Sequence, residues 1–226
     1  MKKIRKPLLL GGLLLSAALG TTPALAHPHM WIDANLQMQF DDKGRVASVS
    51  QSWTFDELFS SYAIQGIKRD THKMPDQEAL DAIAQNWMGA LADPMSHYFT
   101  DIEQDNRALK VSPAEAITAR WDLATERLVL QFSLPLVTPV SPQAGPVSVR
   151  VADPTYFVAY SFDPRKISAF KPMPEGCQMR YHAPQQLDPF TANRLASIPA
   201  AQAEPPPELL EITRRLQHRV ELKCHP

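Results

Sequence analysis

Met30-Trp31-Ile32-Asp33-Ala34-Asn35-Leu36-Gln37-Met38-Gln39-Phe40 is the stretch whose reading decides the fold. From Asn35 onward apolar and polar residues alternate. Leu36, Met38 and Phe40 fall on one side, and Asn35, Gln37 and Gln39 on the other. A period of two is the mark of a strand with one face in a core and one toward water. Asp41-Asp42-Lys43-Gly44 supplies turn residues. Val46, Ala47, Val49, Ser52 and Trp53 then predict a second strand, so the two close an N-terminal hairpin.

Upstream of the strand stands Ala26-His27-Pro28-His29. Residues 1–26 read as a secretory leader. Lys2, Lys3, Arg5 and Lys6 make its basic start, and Leu8 to Leu19 its apolar segment. Ala24-Leu25-Ala26 is a small-x-small cleavage pattern. Cleavage there makes His27 the first residue of the working chain. Removing the four basic leader residues leaves 19 of 23 Lys and Arg against 24 Asp and Glu, a net charge of −5. That balance, with no basic run, argues against nucleic acid as a partner. No second long apolar run follows, so stable membrane insertion after cleavage is not expected. The expected location is the periplasm.

Downstream of the hairpin the period changes. Asp56 or Thr54 can cap a helix whose packing face holds Leu58, Phe59, Tyr62 and Ala63. Pro75-Asp76-Gln77-Glu78 opens a second helix with Leu80, Ile83, Ala84, Trp87, Met88 and Leu91 at helical spacing. Strands then return at His97–Ile102, loosely at Val111–Trp121, and at Arg127–Leu134. Four prolines make Pro135–Pro146 a predicted rigid loop. Val147–Val151, Thr155–Phe162, Ile167–Phe170, Cys177–His182 and Val220–Cys224 complete the predicted strands. Of these, Thr155–Phe162 is the densest in aromatic and branched residues. Residues 183–207 are rich in Pro and Ala, with a helical stretch at Pro189–Leu195 and a stiff Pro205-Pro206-Pro207 spacer before a short helix at Glu208–Leu216. The fold class expected is α+β. A single domain at 27–226 is mainly antiparallel β, a sandwich being one form of it, with a helical insertion at about 56–93. Cys177 and Cys224, the two cysteines of the chain, are expected to pair in an oxidising compartment.

The chemistry concentrates at the new N-terminus. Imidazole suits zinc, copper, nickel and iron(II), and zinc, nickel and cobalt accept overlapping nitrogen ligands. A terminal amine, with a reference pKa of about 7.7–8.0, adds a further nitrogen once a metal displaces its proton. His27 can chelate through its amine and Nδ1, and His29 can add a third nitrogen. Pro28 excludes the amine-amide-amide-histidine chelate, because the second residue of that motif must lose a backbone N–H that proline lacks. Further ligands must come from elsewhere, and His97, Asp33 and Asp153 are the candidates. For each isolated histidine the competing reading is structural or solvent-exposed. For His27-Pro28-His29 it is a polar lead-in whose proline fixes the entry to the strand.

The sequence lacks a Walker loop, a dinucleotide fingerprint, a Gly-x-Ser-x-Gly elbow and a His-Glu-x-x-His helix. Two rival readings stand beside a metal-binding role. One is a non-metal envelope module that binds a protein through Thr155–Phe162. The other is a copper-dependent oxidase with an N-terminal histidine.

Ala26-His27-Pro28-His29-Met30-Trp31-Ile32-Asp33, Trp53-Thr54-Phe55-Asp56-Glu57-Leu58-Phe59-Ser60, Asp153-Pro154-Thr155-Tyr156-Phe157-Val158-Ala159-Tyr160 and the late Cys177 and Cys224 together carry a resemblance. The chain resembles an uncharacterised bacterial periplasmic family labelled as the periplasmic component of an ABC-type transport system. Its members look like companions of nickel/cobalt-exporter-type and zinc-uptake membrane proteins. The resemblance implies export and a link to divalent-metal movement, with a membrane metal permease or exporter as partner. Some members have an acidic loop between the first two helices. Lys68-Arg69-Asp70-Thr71-His72-Lys73 replaces it here, which argues against a hard-cation site. The expectation is a non-catalytic periplasmic accessory that holds a divalent transition metal at His27-Pro28-His29.

Overall fold

The computed structural model describes residues 28–94, 96–169, 173–198 and 206–225. Residues 1–27, which take in the expected leader and His27, lie outside the described residues. Strand β1 (Met30–Phe40) and strand β2 (Val46–Phe55) form the expected antiparallel hairpin. Ile32, Ala34, Leu36 and Met38 of β1 are all buried, as the alternation requires. Helix α1 (Glu57–Ala63) and helix α2 (Gln77–Leu91) follow. Strands β3 (Thr100–Gln104), β4 (Arg107–Ala108), β5 (Glu115–Asp122), β6 (Arg127–Val140), β7 (Val147–Val151), β8 (Val158–Phe162), β9 (Ser168–Ala169) and β10 (Cys177–His182) come next. Helices α3 (Pro189–Ala196) and α4 (Pro207–Arg214) lead to the last strand, β11 (His218–Cys224).

The strands make two sheets. The first runs β5-β6-β2-β1-β8, with β9 also beside β1, and the second runs β10-β11-β7-β3-β4. All pairings are antiparallel except those of β1 with β8 and β9, which are parallel. The α+β sandwich-like class is therefore realised. The long strands of the first sheet serve two cores. Ile32, Trp53, Leu130 and Phe132 share one with Leu80, Ala84 and Met88 of α2. Leu36, Met38, Val46 and Val49 share the other with Ile102, Val149, Val151 and Leu222 of the second sheet. One half of the first sheet is thus roofed by helices and the other half by strands. Gln51 is buried on the inner face of β2 near this change of partner. It accepts from Trp53 Nε1 and donates to Thr100 Oγ1, at 2.9 and 2.7 Å, so its amide is not left unpaired.

The structure departs from expectation at four places. The first is the proline-rich run, where β6 continues to Val140 instead of ending at Leu134. Pro135 lies opposite Ser48, and the register then jumps to Val140 opposite Val46. Prolines are tolerated where a ladder is already irregular and their missing N–H breaks no bond. The second is Thr155–Phe162, where the strand begins only at Val158. The third is His97–Phe99, where a strand was expected. These three residues form a single turn with φ of 44°, 54° and 48°, all left-handed and none glycine. The fourth is the end of the proline spacer, of which Pro205 lies outside the described residues. Pro206 is the N-cap of α4 and Pro207 its first residue, a position where the missing N–H costs nothing.

Cys177 and Cys224 face each other across β10 and β11 and form the expected disulfide, with Cα atoms 3.9 Å apart. No described helix is long and apolar enough to cross a membrane.

Candidate functional site

His29 stands one residue before β1, exposed to solvent. Its backbone N–H donates to the Phe157 carbonyl at 2.8 Å, and its ring stacks on the Phe157 ring with centroids 4.6 Å apart. The loop that carries Phe157 is organised by Asp153. One carboxylate oxygen of Asp153 accepts from the Thr155 N–H at 2.8 Å and the Thr155 hydroxyl at 2.7 Å. The other accepts from the Val158 N–H at 2.9 Å. These bonds consume the backbone donors that a strand would need, and Tyr156 turns through a φ of 59°. The apparent strand start at Thr155 is therefore a folded loop. Its local sequence favours a strand, but the Asp153 side chain offers the backbone a competing partner.

The opposite side of β1 is fixed by Asp56. Its carboxylate caps α1 by accepting from the Phe59 N–H at 2.8 Å. Its second oxygen accepts from the Trp31 N–H at 2.9 Å, and its own N–H donates to the Trp31 carbonyl at 2.9 Å. The start of β1 is thus clamped by the β8 loop on one flank and by the cap of α1 on the other. His29 is the exposed end of a braced strand.

The remaining candidate ligands are placed as follows. Asp33 is on β1 and forms an ion pair with Arg127 at 2.6 Å and a hydrogen bond from the Ser161 hydroxyl. Burial opposes its charge, but the Ser161 hydroxyl and the Arg127 guanidinium outweigh that and hold its carboxyl below the usual carboxylate range. Four residues of extended chain separate Asp33 from His29, about 13 Å. Two ligands of one ion lie within about 4 Å of each other, so a shared ion would need β1 to bend. Asp153 is buried and engaged in the three bonds given above. His97 sits in the left-handed turn, where Nδ1 lies 3.0 Å from the Thr100 carbonyl. A carbonyl can only accept, so Nδ1 carries the proton and Nε2 the lone pair in the neutral ring, the tautomer metal ligands commonly adopt. Among the described residues no group of three or more His, Cys, Asp or Glu is close enough to hold a metal ion. The described part of the chain thus offers His29, with Asp153 as the residue that positions its platform.

Comparison with known proteins adds the family. The chain belongs to the family described as "Protein of unknown function (DUF1007)". The family model matches residues 12–224, so membership takes in both sheets, the helices and the braced start of β1. The chain is also similar to an uncharacterized protein of Haemophilus influenzae, 29% identical over 157 residues, which are 68% of this chain and 71% of that protein.

Phe157, Arg127 and Ser161 were not singled out individually in the sequence. Phe157 and Ser161 lie on or beside β8, more than a hundred residues from β1, and only the parallel pairing of Met30 with Val158 brings them together. The aromatic density of Thr155–Phe162 was the one local signal, and it pointed to packing rather than to a histidine platform.

Proposed function

We propose that the processed protein is a periplasmic, non-catalytic accessory that holds one divalent transition-metal ion at its N-terminus and exchanges it with a membrane metal permease or exporter. The ligands are the amine and imidazole of His27 and the imidazole of His29. Water or a group of the partner completes the coordination sphere. Zinc, nickel, cobalt and copper all accept this donor set. The observation that carries the reading is the seating of His29, exposed yet anchored to Phe157 at the start of a braced strand. A ligand held this way loses little conformational freedom when it binds, and it stays open to a partner. The resemblance to companions of metal permeases supports the assignment of the partner. A disulfide suits an oxidising compartment.

Calorimetric titration of protein beginning at His27 with zinc, nickel, cobalt and copper tests the reading. One ion per chain is expected, with His29→Ala weakening binding by at least about tenfold. Phe157→Ala should weaken it several-fold through loss of the platform, as outer-shell changes do. Affinity for every ion that is unmoved by His29→Ala would overturn the proposal.

A second reading rests on a different observation. Trp31, Leu58 and Tyr62 are 54%, 81% and 72% exposed, and the first two flank the Asp56 clamp. Exposed aromatic and aliphatic side chains in one neighbourhood mark interaction surfaces. An envelope module that docks a protein through this rim predicts binding that is indifferent to metal and to His29.

A further inference from the structure

The outer face of the first sheet, turned away from both cores, carries a block of neutral polar side chains. The outward positions of β1 from Asn35 to Gln39, of β2 from Ser48 to Thr54 and of β6 from Gln131 to Ser133 are all Ser, Thr, Asn or Gln. A soluble surface is typically about 25–35% Lys, Arg, Glu and Asp, and this block holds none. One end of it is closed on itself. The Ser48 hydroxyl donates to Gln39 Oε1 at 2.7 Å, Gln39 Nε2 donates to the Ser50 hydroxyl at 2.6 Å, and the Ser50 and Ser133 hydroxyls lie 2.5 Å apart. The next row is open. Asn35 lies opposite Ser52 and Ser52 opposite Gln131, and among the described residues these three side chains have no hydrogen-bond partner.

Two cations stand at the β1 end of that row. β8 pairs with β1 as far as Ala34 and β9 resumes at Gln37, so this edge of the sheet is interrupted beside Asn35. A single turn at Pro164–Lys166 fills the interruption. Arg165 and Lys166 line a cavity of about 510 Å³ with Asn35, Gln37, Ser52 and Gln131, and no acidic side chain lines it. A second cavity of about 510 Å³ shares Asn35, Arg165 and Lys166 and continues toward Asp33. Asp33 pairs there with Arg127 and Asp163 with Arg165, while Asp122 accepts from the Ala124 N–H. Lys166 makes no ion pair among the described residues. Ligand sites commonly span about 300–1,000 Å³. Amides and hydroxyls both donate and accept, as each hydroxyl of a sugar does. Neighbouring strands lie about 4.7–4.9 Å apart, close to the length of one sugar unit in a chain. We infer that the outer face binds a short acidic oligosaccharide. Its chain lies across β1, β2 and β6 on Asn35, Ser52 and Gln131, and its anionic group rests against Lys166. Asn35 is about 20 Å along β1 from His29, so the site is separate from the N-terminal histidines and its occupancy does not require metal.

The test is ¹H–¹⁵N NMR titration of metal-free processed protein with trigalacturonate and with a sulfated galactan trisaccharide, which distinguish carboxylate from sulfate as the anion. The trimethyl ester of trigalacturonate is the neutral control, and citrate is the anion without a sugar. At least one acidic trisaccharide should bind saturably, one per chain, and shift the Asn35, Ser52 and Gln131 amides. It should bind about tenfold more tightly than the ester, as one charge-assisted hydrogen bond predicts. Lys166→Gln should remove that preference. Asn35→Ala combined with Gln131→Ala should weaken binding of the acid by at least about tenfold, at about fivefold per neutral bond, without altering the circular dichroism spectrum. Absence of saturable binding by both acidic trisaccharides would overturn the inference. So would citrate binding as tight as theirs, a preference for the acid that survives Lys166→Gln, or binding undiminished in the double variant.

Discussion

At the scale of single residues, His218 shows how the two sheets are joined. Its ring lies on β11 of the second sheet, and its Nε2–H donates to the Tyr160 carbonyl of β8 in the first, at 2.8 Å. That bond fixes the tautomer, so Nδ1 accepts from the Tyr181 hydroxyl at 2.7 Å. Phe162 packs against the same ring at 4.8 Å. Burial pushes the pKa of His218 below the ordinary histidine value, and the bond to the Tyr160 carbonyl offsets only part of this. The folded chain therefore binds a proton at this site less readily than the unfolded chain does. Stability from this group is unchanged above the unfolded value of about 6.5 and is lost as pH falls from there through the folded pKa. Melting temperatures at pH 7.5 and 5.5 should differ more in the wild type than in His218→Gln. An equal pH slope in the two proteins would contradict this account. Asp153 and Asp56 are comparable cases of one carboxylate organising several backbone donors, and neither function shows in composition.

At the scale of elements, the start of β1 depends on its flanks. Asp56 caps α1 and also bonds Trp31 through both its carboxylate and its N–H. Loss of an N-cap alone costs about 1 kcal/mol. Asp56→Ala should lower the melting temperature by roughly 2–4 °C. It should also speed amide exchange at Trp31 more than at residues in the middle of β1. Exchange at Trp31 unchanged from wild type would argue against the clamp. The elements most legible in the sequence were those whose pattern is set by burial alone. β1, β2, β6 up to Leu134, and α2 each have one face in a core, and their periods of two or 3.6 follow directly. The illegible stretches are ruled by partners distant in sequence. Thr155–Phe157 bends because Asp153 captures its backbone donors. His97–Phe99 accepts left-handed geometry because the Tyr98 hydroxyl receives the Ala114 N–H and the Tyr98 carbonyl receives the Thr100 hydroxyl. Left-handed backbone costs about 1–2 kcal/mol per residue, so such a turn persists only where surrounding contacts compensate for it. The site was half legible for the same reason. His29 was visible beside a cleavage pattern, whereas Phe157 enters only through the pairing of β1 with β8.

At the scale of the whole molecule, two features hold the first and last described strands to the fold. The parallel pairing of β1 with β8 joins the N-terminal hairpin to the later strands. The Cys177–Cys224 disulfide ties the last strand to β10 across 47 positions of sequence. The chain-entropy model assigns a bridge of this span about 3–4 kcal/mol. Replacing both cysteines by serine should lower the melting temperature by roughly 10 °C. Metal affinity should be unchanged, because the bridge is in the second sheet and His29 precedes the first. A joint loss of stability and metal binding would show that the N-terminal site depends on the far sheet. The central claim concerns the amine of His27, which exists only if the chain begins there. The most direct measurement compares metal affinity of protein starting at His27 with that of protein carrying one added glycine before it. Measured with zinc or cobalt, which do not readily displace the amide proton that the added glycine brings in, an amine ligand predicts a loss of at least about tenfold in affinity, since the direct amine-imidazole chelate of His27 is gone. Equal affinity in the two proteins would contradict the proposed site.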